Sequence, residues 1–461
     1  MVCRRRWRHG SGAALVVAAA ALCEATLRSE PSPPPRQIFE SHPQVAALQC
    51  PSQGTAPAKG PATPKDRIPD ADDLHAIEIP RPSFAGRPPP LPADLIRGFA
   101  VPPAGSGPLR VGVWGDSHVA AGFITDEIGK HLEAAGLSVD TRAIPASLGR
   151  PGVRLPVRRV CKGEGWRFQA GYTAVEPVNV GPSLANLRSS RAGDYLWFDL
   201  RHRSDRNVRG VQIHYLPERG RAAIGVRVDD GSEVRVELEQ VRDHAAASPG
   251  VIDLRGSSSI STLKLRVLQG DVVLQGLTLD YAESAAMTID VFGIPSATAK
   301  GWSNADLSYL KQSMPPGAYD AIILEYGTNE GAVGRFDAAK YAAMLTASLR
   351  SVRQVFPGSA CLLIGPTDRG VRVPAERRSG RVDLLQYSRI HQQITRIQAE
   401  VGARFGCAMW DWQRYMGGAG SIYLWARETP ALAAPDLIHL TPTGYRRTAT
   451  ALAQSIGWLS P

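Results

Sequence analysis

Apolar and polar positions divide the chain into three regimes. From Leu109 the run Leu-Arg-Val-Gly-Val-Trp reads as a strand, and Ile124, Ile128 and Leu132 then recur every four residues, as one face of a helix does. Gly136 follows as a C-cap, and residues 139–144 read as a second strand. Between 150 and 286 the period falls to two. Runs at 195–200, 211–216, 224–228, 234–238, 263–268 and 272–279 mostly alternate apolar and polar, with turn residues such as Asp229-Asp-Gly-Ser between them. That is the pattern of a β-sandwich. After 287 helix–strand alternation returns. Strands are predicted at 321–326, 361–366 and 404–410, and a helix opens at Asp337 with Tyr341, Met344, Leu345, Leu349 and Val352. Another helix spans 384–401, and Thr441-Pro442 supplies an N-cap and N1 proline to a last one carrying Tyr445, Ala449, Leu452 and Ile456. The expectation is an α/β fold: an open parallel sheet with helices on both faces, split by an inserted sandwich.

The N-terminal region follows neither period. Much of the complement of 36 prolines crowds there, and residues 29–107 read as a Pro-rich disordered linker with extended polyproline runs at 31–35, 80–82 and 88–92. Residues 1–28 read as an export signal: Arg4, Arg5, Arg6 and Arg8 precede an apolar run at 13–22, short of the roughly 20 residues a membrane span needs. Lipidation at Cys23 and an uncleaved membrane tether are the alternatives. The formal net charge is +10, and those four arginines carry part of it, so the remainder is mildly basic. With no nucleic-acid motif, nucleic acid is not an expected partner. Export permits disulfides. Beyond the signal stand Cys50, Cys161, Cys361 and Cys407; Cys361 and Cys407 fall on strands expected to be neighbours, either bridged or as small buried hydrophobes. No Cys-x-x-Cys pair or His-rich spacing suggests a metal.

Candidate chemistry lies where strands end. Gly115-Asp-Ser117-His follows the first strand, and Gly327-Thr-Asn329-Glu330 follows the strand at 321–326. Asp436-Leu-Ile-His439 immediately precedes the last helix. A serine hydroxyl needs an imidazole to take its proton and a carboxylate to orient that imidazole. An asparagine amide at a strand end can donate to an oxyanion. In open parallel sheets ligands bind beyond the carboxyl ends of the strands, where Ser117, Asn329, the 366–381 loop and the Asp436/His439 loop all fall.

These three blocks, in this order, resemble those of the SGNH (GDSL-type) hydrolases, with Glu330 where that family usually has aspartate. An SGNH core split by a sandwich is similar to the bacterial peptidoglycan O-acetylesterases. Phe292-Gly-Ile-Pro-Ser-Ala-Thr-Ala-Lys-Gly-Trp302 resembles their second block, with Ser296 at the expected oxyanion-hole glycine, and Met416-Gly-Gly-Ala-Gly-Ser-Ile422 with Trp425 resembles a stretch before their last block. The resemblance implies a flavodoxin-like three-layer core in two parts, 108–149 and 287–461, around a jelly-roll-like, carbohydrate-binding-like insert at 150–286.

It also implies roles. Ser117 is the expected nucleophile, His439 the general base and Asp436 its orienter. Ser117 and Ser296 backbone N–H groups and the Asn329 amide would form the oxyanion hole, without cofactor or metal. Asp116 is read as a helix cap and His118 as a cleft-wall residue; His131, His202, His214 and His391 are read as ordinary histidines. Arg369, Arg372, Arg377, Arg378 and Arg381 crowd one loop at the active edge and would suit an anionic glycan, against the reading of a solvated basic loop. Trp410, Trp412, Tyr415 and Trp425 are either sugar-stacking or core residues. The expected function is an exported esterase that removes O-acetyl groups from an acetylated polysaccharide, peptidoglycan first. The alternatives are an O-acetyltransferase on the same triad and a non-catalytic glycan-binding protein of the cell envelope.

Overall fold

The computed structural model describes residues 36–39, 48–51 and 66–460, apart from 76, 78, 80–85, 104, 202–205, 242–246, 257–258 and 375–381. The export-signal reading, His202, Arg377, Arg378 and Arg381 therefore lie outside the described residues.

Six parallel strands form the core sheet: β1 (Leu109–Gly115), β2 (Val139–Asp140), β3 (Met287–Gly293), β4 (Ala321–Glu325), β5 (Ala360–Ile364) and β6 (Ala408–Trp410). Their order is β6–β5–β4–β1–β3–β2, so the chain reverses direction across the sheet at β1. All five residues of β4 are buried, as a strand covered on both faces must be. Trp114, Phe292 and Leu324 face one core with helices α2 (Ala338–Val355) and α3 (Gln386–Arg404). Val113, Ile289 and Ile323 face the other with α1 (Phe123–Ala134) and α4 (Pro442–Ser455). Gly115 of β1 lies opposite Gly293 of β3 and Glu325 of β4. The three segments carrying Ser117, Ser296 and Asn329 thus leave the sheet side by side.

The insert is a two-sheet sandwich. One sheet runs through Arg36–Phe39, Gly250–Gly256, Val208–Tyr215, Val272–Tyr281, Ala185–Ser189 and Arg167–Ala170. The other runs through Val234–Glu237, Ala223–Val228, Thr262–Gln269, Tyr195–Asp199 and Arg159–Lys162. The expected strand at 139–144 is divided between the two bodies: Val139–Asp140 joins the core sheet, and Ala143–Pro145 pairs with Val272–Tyr281 of the sandwich. The break is held by Asp290, whose Oδ1 accepts from Arg142 N and Ala143 N, each at 2.8 Å. Sandwich pairing therefore begins before residue 150.

The linker reading is corrected over its described residues. Ala93–Gly98 forms a helix, and Phe99 behind it is fully buried, its ring 5.9 Å from Trp458. Asp66–Arg67 pairs with Val373–Pro374, and Arg36–Phe39 adds a parallel edge to the sandwich. Leu48, Leu74 and Leu95 are buried. Proline keeps these stretches extended, but scattered apolar side chains still bury against the body. Among the described residues there are two disulfides, Cys50–Cys161 and Cys361–Cys407, so the bridged alternative holds for Cys361 and Cys407.

Candidate active site

β1 ends at Gly115, and Asp116 turns the chain so that Ser117 opens a short helix, Ser117–Ala120. Asp116 Oδ1 accepts from His118 N at 2.9 Å, which makes it the expected cap. The turn fits only because Gly293 has no side chain: a Cβ there would lie 2.1 Å from Ala120 N.

His439, 322 residues on, places Nε2 2.9 Å from Ser117 Oγ. Its Nδ1 is 2.7 Å from Asp436 Oδ2. The carboxylate accepts a hydrogen bond from Nδ1–H, which leaves Nε2 to accept from the serine hydroxyl. Asp436 also performs the turn role: its Oδ1 accepts from Ile438 N and His439 N, each at 3.0 Å. This wrap is possible because Leu437 adopts φ +58° and is anchored by a fully buried side chain. Burial pushes the Asp436 carboxyl up, but its hydrogen bonds from His439 and Ile438 outweigh that and hold it at about 2. The Asp436 hydrogen bond raises His439 above its ordinary value, against desolvation.

Around the serine sit further acids: Asp116, Glu330 and Glu325, the last of which the sequence reading did not single out. Glu325 ends β4 fully buried, and its Oε2 accepts from Asp116 N at 3.3 Å. Burial, and then the Asp116 charge, push Glu325 well up. Burial also raises Asp116 to about 6. Glu330 binds Ala299 N at 2.9 Å and Gly327 N at 3.1 Å, tying the segment after β3 to the turn after β4. The sequence signal was an acid at the ends of two buried segments, where an unpaired carboxylate is costly.

Asn329 reaches the site with its amide already engaged. Nδ2 donates to Ala297 O at 2.8 Å and Asp116 Oδ2 at 3.1 Å, so it braces two loops in this arrangement. Ser296, exposed on the rim, has φ +68°, the left-handed conformation that explains a glycine preference there.

Several expected rim residues lie elsewhere. His118 is fully buried, with Nδ1 2.9 Å from Tyr445 OH and its ring 5.3 Å from His439, so it is a support under the base and not a cleft wall. Burial lowers it to about 3, keeping it neutral. Trp410 and Trp425 are core residues: Trp410 Nε1 donates to Ser455 Oγ at 2.9 Å and Trp425 Nε1 to Met416 O at 3.0 Å. Trp412 and Tyr415 are buried with them, because all four pack beneath α4 rather than over the strand ends. Arg372 donates to Asp66 O, drawn to the N-terminal segment that pairs beside it. Arg369 stays at the site. His131 and His214 bond to Thr450 and Thr278, and His391 is buried against Thr367 O. Among the described residues no three His, Cys, Asp or Glu side chains gather as a metal cage.

A nucleophile, an oriented base and a rim of backbone donors form an acyl-transfer centre. Residues 274–447 match the GDSL-like lipase and acylhydrolase family. Over that stretch the chain is similar to the GDSL-type acylhydrolases. That match includes Asn329, Asp436 and His439 but begins after Ser117; the sandwich separates the serine block in sequence, and the sheet restores it in space. A solved structure described as a peptidoglycan O-acetylesterase in action superposes with TM-score 0.58 and 20% identity, over 79% of this chain and 93% of that one. At that identity the likeness is one of fold. A family two carbohydrate esterase with a carbohydrate-binding domain from Corynascus thermopiles (Myceliophthora fergusii) aligns at TM-score 0.27 and 13% identity, covering 64% of this chain and 100% of that one, too low to carry an argument. No curated protein matches the chain.

Proposed function

We propose that this hydrolase is an exported O-acetylesterase of a polysaccharide, with peptidoglycan the first substrate to test. The observation that carries the esterase reading is the unbroken Ser117–His439–Asp436 chain of hydrogen bonds at 2.9 and 2.7 Å. Ser117 Oγ attacks the acetyl carbonyl as His439 Nε2 takes its proton. The oxyanion meets the N–H groups of Ser117 and Ser296 and the Asn329 amide, which exchanges Asp116 for the new, more basic acceptor. His439 then protonates the departing sugar oxygen, leaving acetyl on Ser117. Water, deprotonated by the same imidazole, releases acetate.

A polymeric substrate is supported by a groove of about 880 Å3 on the insert, lined by Arg150, Phe168, Tyr172, Asn179 and Glu218 among others. It starts at the 146–154 loop, whose Gly152 approaches Pro295, the neighbour of Ser296. Aromatic rings beside amides and carboxylates suit sugar faces and hydroxyls. Peptidoglycan is supported by the fold likeness to the O-acetylesterase. Export is supported by two disulfides, which persist in oxidising compartments.

The test is acetate release from acetylated peptidoglycan and acetylated xylan, beside 4-nitrophenyl acetate, for the protein and Ser117→Ala. Release from peptidoglycan that falls at least about 10³-fold in the variant is expected. Hydrolysis of the small ester with neither polymer touched would overturn the polysaccharide reading and move weight to acetyl transfer.

A further inference from the structure

Arg369 differs from a group of arginines elsewhere in the chain. Arg110, Arg188, Arg201, Arg206, Arg255, Arg266 and Arg389 each meet a carboxylate. Arg353 meets none there but spends its donors on the carbonyls of Phe405, Ser359 and Gly406. Arg369 has one long hydrogen bond, Nη1 to Thr328 O at 3.4 Å, and its buried Nε has no partner. Desolvation of this half-buried cation lowers its pKa, and Asp436 offsets that only through space. Leaving a guanidinium under-bonded is costly, and nothing in the fold requires it here.

Its position gives the cost a use. Thr328 is the neighbour of Asn329, and the Arg369 charge is felt by both Asp436 and His439. The guanidinium thus sits between the Asn329 turn and the triad loop. The Tyr387 ring centroid lies 4.5 Å from its guanidinium carbon, a cation–π contact. A planar fork with unused N–H groups matches a carboxylate, which accepts two parallel hydrogen bonds.

We propose that Arg369, held against Tyr387, is a carboxylate-binding subsite that selects substrates bearing a carboxylate close to the scissile acetyl ester. This rests on the polysaccharide reading above and narrows it to acidic glycans. Arg369 is a specificity residue and takes no part in the chemistry on the acetyl group.

The experiment uses 4-nitrophenyl acetate hydrolysis as the readout and glucuronate and glucose as competing probes. Glucuronate should inhibit the protein at least about tenfold more strongly than glucose, and added salt should weaken that inhibition. In Arg369→Gln the difference between the two sugars, read relative to that variant's own uninhibited rate, should vanish; Arg369→Lys should keep part of it, since lysine holds the charge without the fork. Equal inhibition by the two sugars in the unaltered protein, or unchanged glucuronate inhibition in Arg369→Gln, would overturn the subsite. The comparison in the unaltered protein decides the matter even if a variant fails to fold. Small-ester hydrolysis without glucuronate preference removes this inference alone; loss of the polysaccharide reading shows separately, as no acetate from either polymer.

Discussion

The triad is a set of three residues whose charges depend on one another. Asp436 stays ionised down to about 2, so it does not titrate in the working range. His439 is raised above the ordinary histidine value by Asp436. A base must be neutral to act, so kcat/KM should fall as pH drops through that raised value, giving an acid limb above about 6.5. Asp436→Asn removes the main support of the charged imidazole. The limb should then move to lower pH, and the plateau should fall about 10²- to 10⁴-fold, because the amide no longer selects the right tautomer. A pH–rate profile of both proteins checks this. An unmoved limb in the variant would mean that another group limits the rate. These residues were legible in the sequence because each stands at the boundary of a periodic segment. Buried Glu325 was not, and neither were the partners of Glu330, since a carboxyl's partners depend on which strand ends lie side by side. Arg369 was visible as a charge among five, and what separates it from Arg372, which donates to the Asp66 carbonyl, is its place beside Thr328 and the Tyr387 ring against it, which charge counting cannot show.

Elements were legible where the period was strong. β4 and α2 appear where alternation placed them, while the 139–144 strand is shared between two sheets, because Asp290 breaks a continuous β-like run that carries no turn residue. The four aromatics near β6 show the opposite failure: an aromatic cluster looks the same in sequence whether it lines a cleft or packs under α4. Cys361 and Cys407 are a further case, as neighbouring strands bring them together whether or not they bond. The bond, fully buried at Cys361, closes a loop of sequence separation 46 between β5 and the start of β6. Replacing both cysteines by alanine should cost roughly 2–4 kcal/mol, largely through the unfolded chain. Denaturant midpoints of the two proteins test this, and an unchanged midpoint would remove the bridge as a stabiliser. Activity at 25 °C should survive, because Cys361 lies near the start of β5, away from the strand ends that carry the triad.

At the scale of the molecule, the insert and the catalytic sheet are not two independent bodies joined by loops. The N-terminal segment, read from its prolines as a free tether, is bound through Leu48, Leu95 and Phe99 and through the bridge from Cys50 to Cys161 of the sandwich. Composition hides this, since a few apolar anchors among many prolines barely alter it. The core tells the same story. Trp114, at the end of β1, is fully buried against Phe292 at 4.8 Å and Trp302 at 5.2 Å, and its Nε1 donates to Pro182 O of the insert at 2.7 Å. One hydrophobic cluster runs from Val211, Leu265 and Leu279 of the sandwich to Ile322 and Leu363 of the core sheet. A shared interior of this kind couples the stability of its two sides. Calorimetry should therefore show a single unfolding transition covering sandwich and core. Trp114→Ala, which opens a cavity at the junction, should lower that transition as a whole by about 3–5 kcal/mol of stability. Two separated transitions, with only one shifted by the substitution, would show that the sandwich is an independent module. The linked outcome has a functional consequence: the Ser117 turn, which starts at Asp116 just beyond Gly115, adjoins packing that the insert completes, so loss of the insert should lower catalysis.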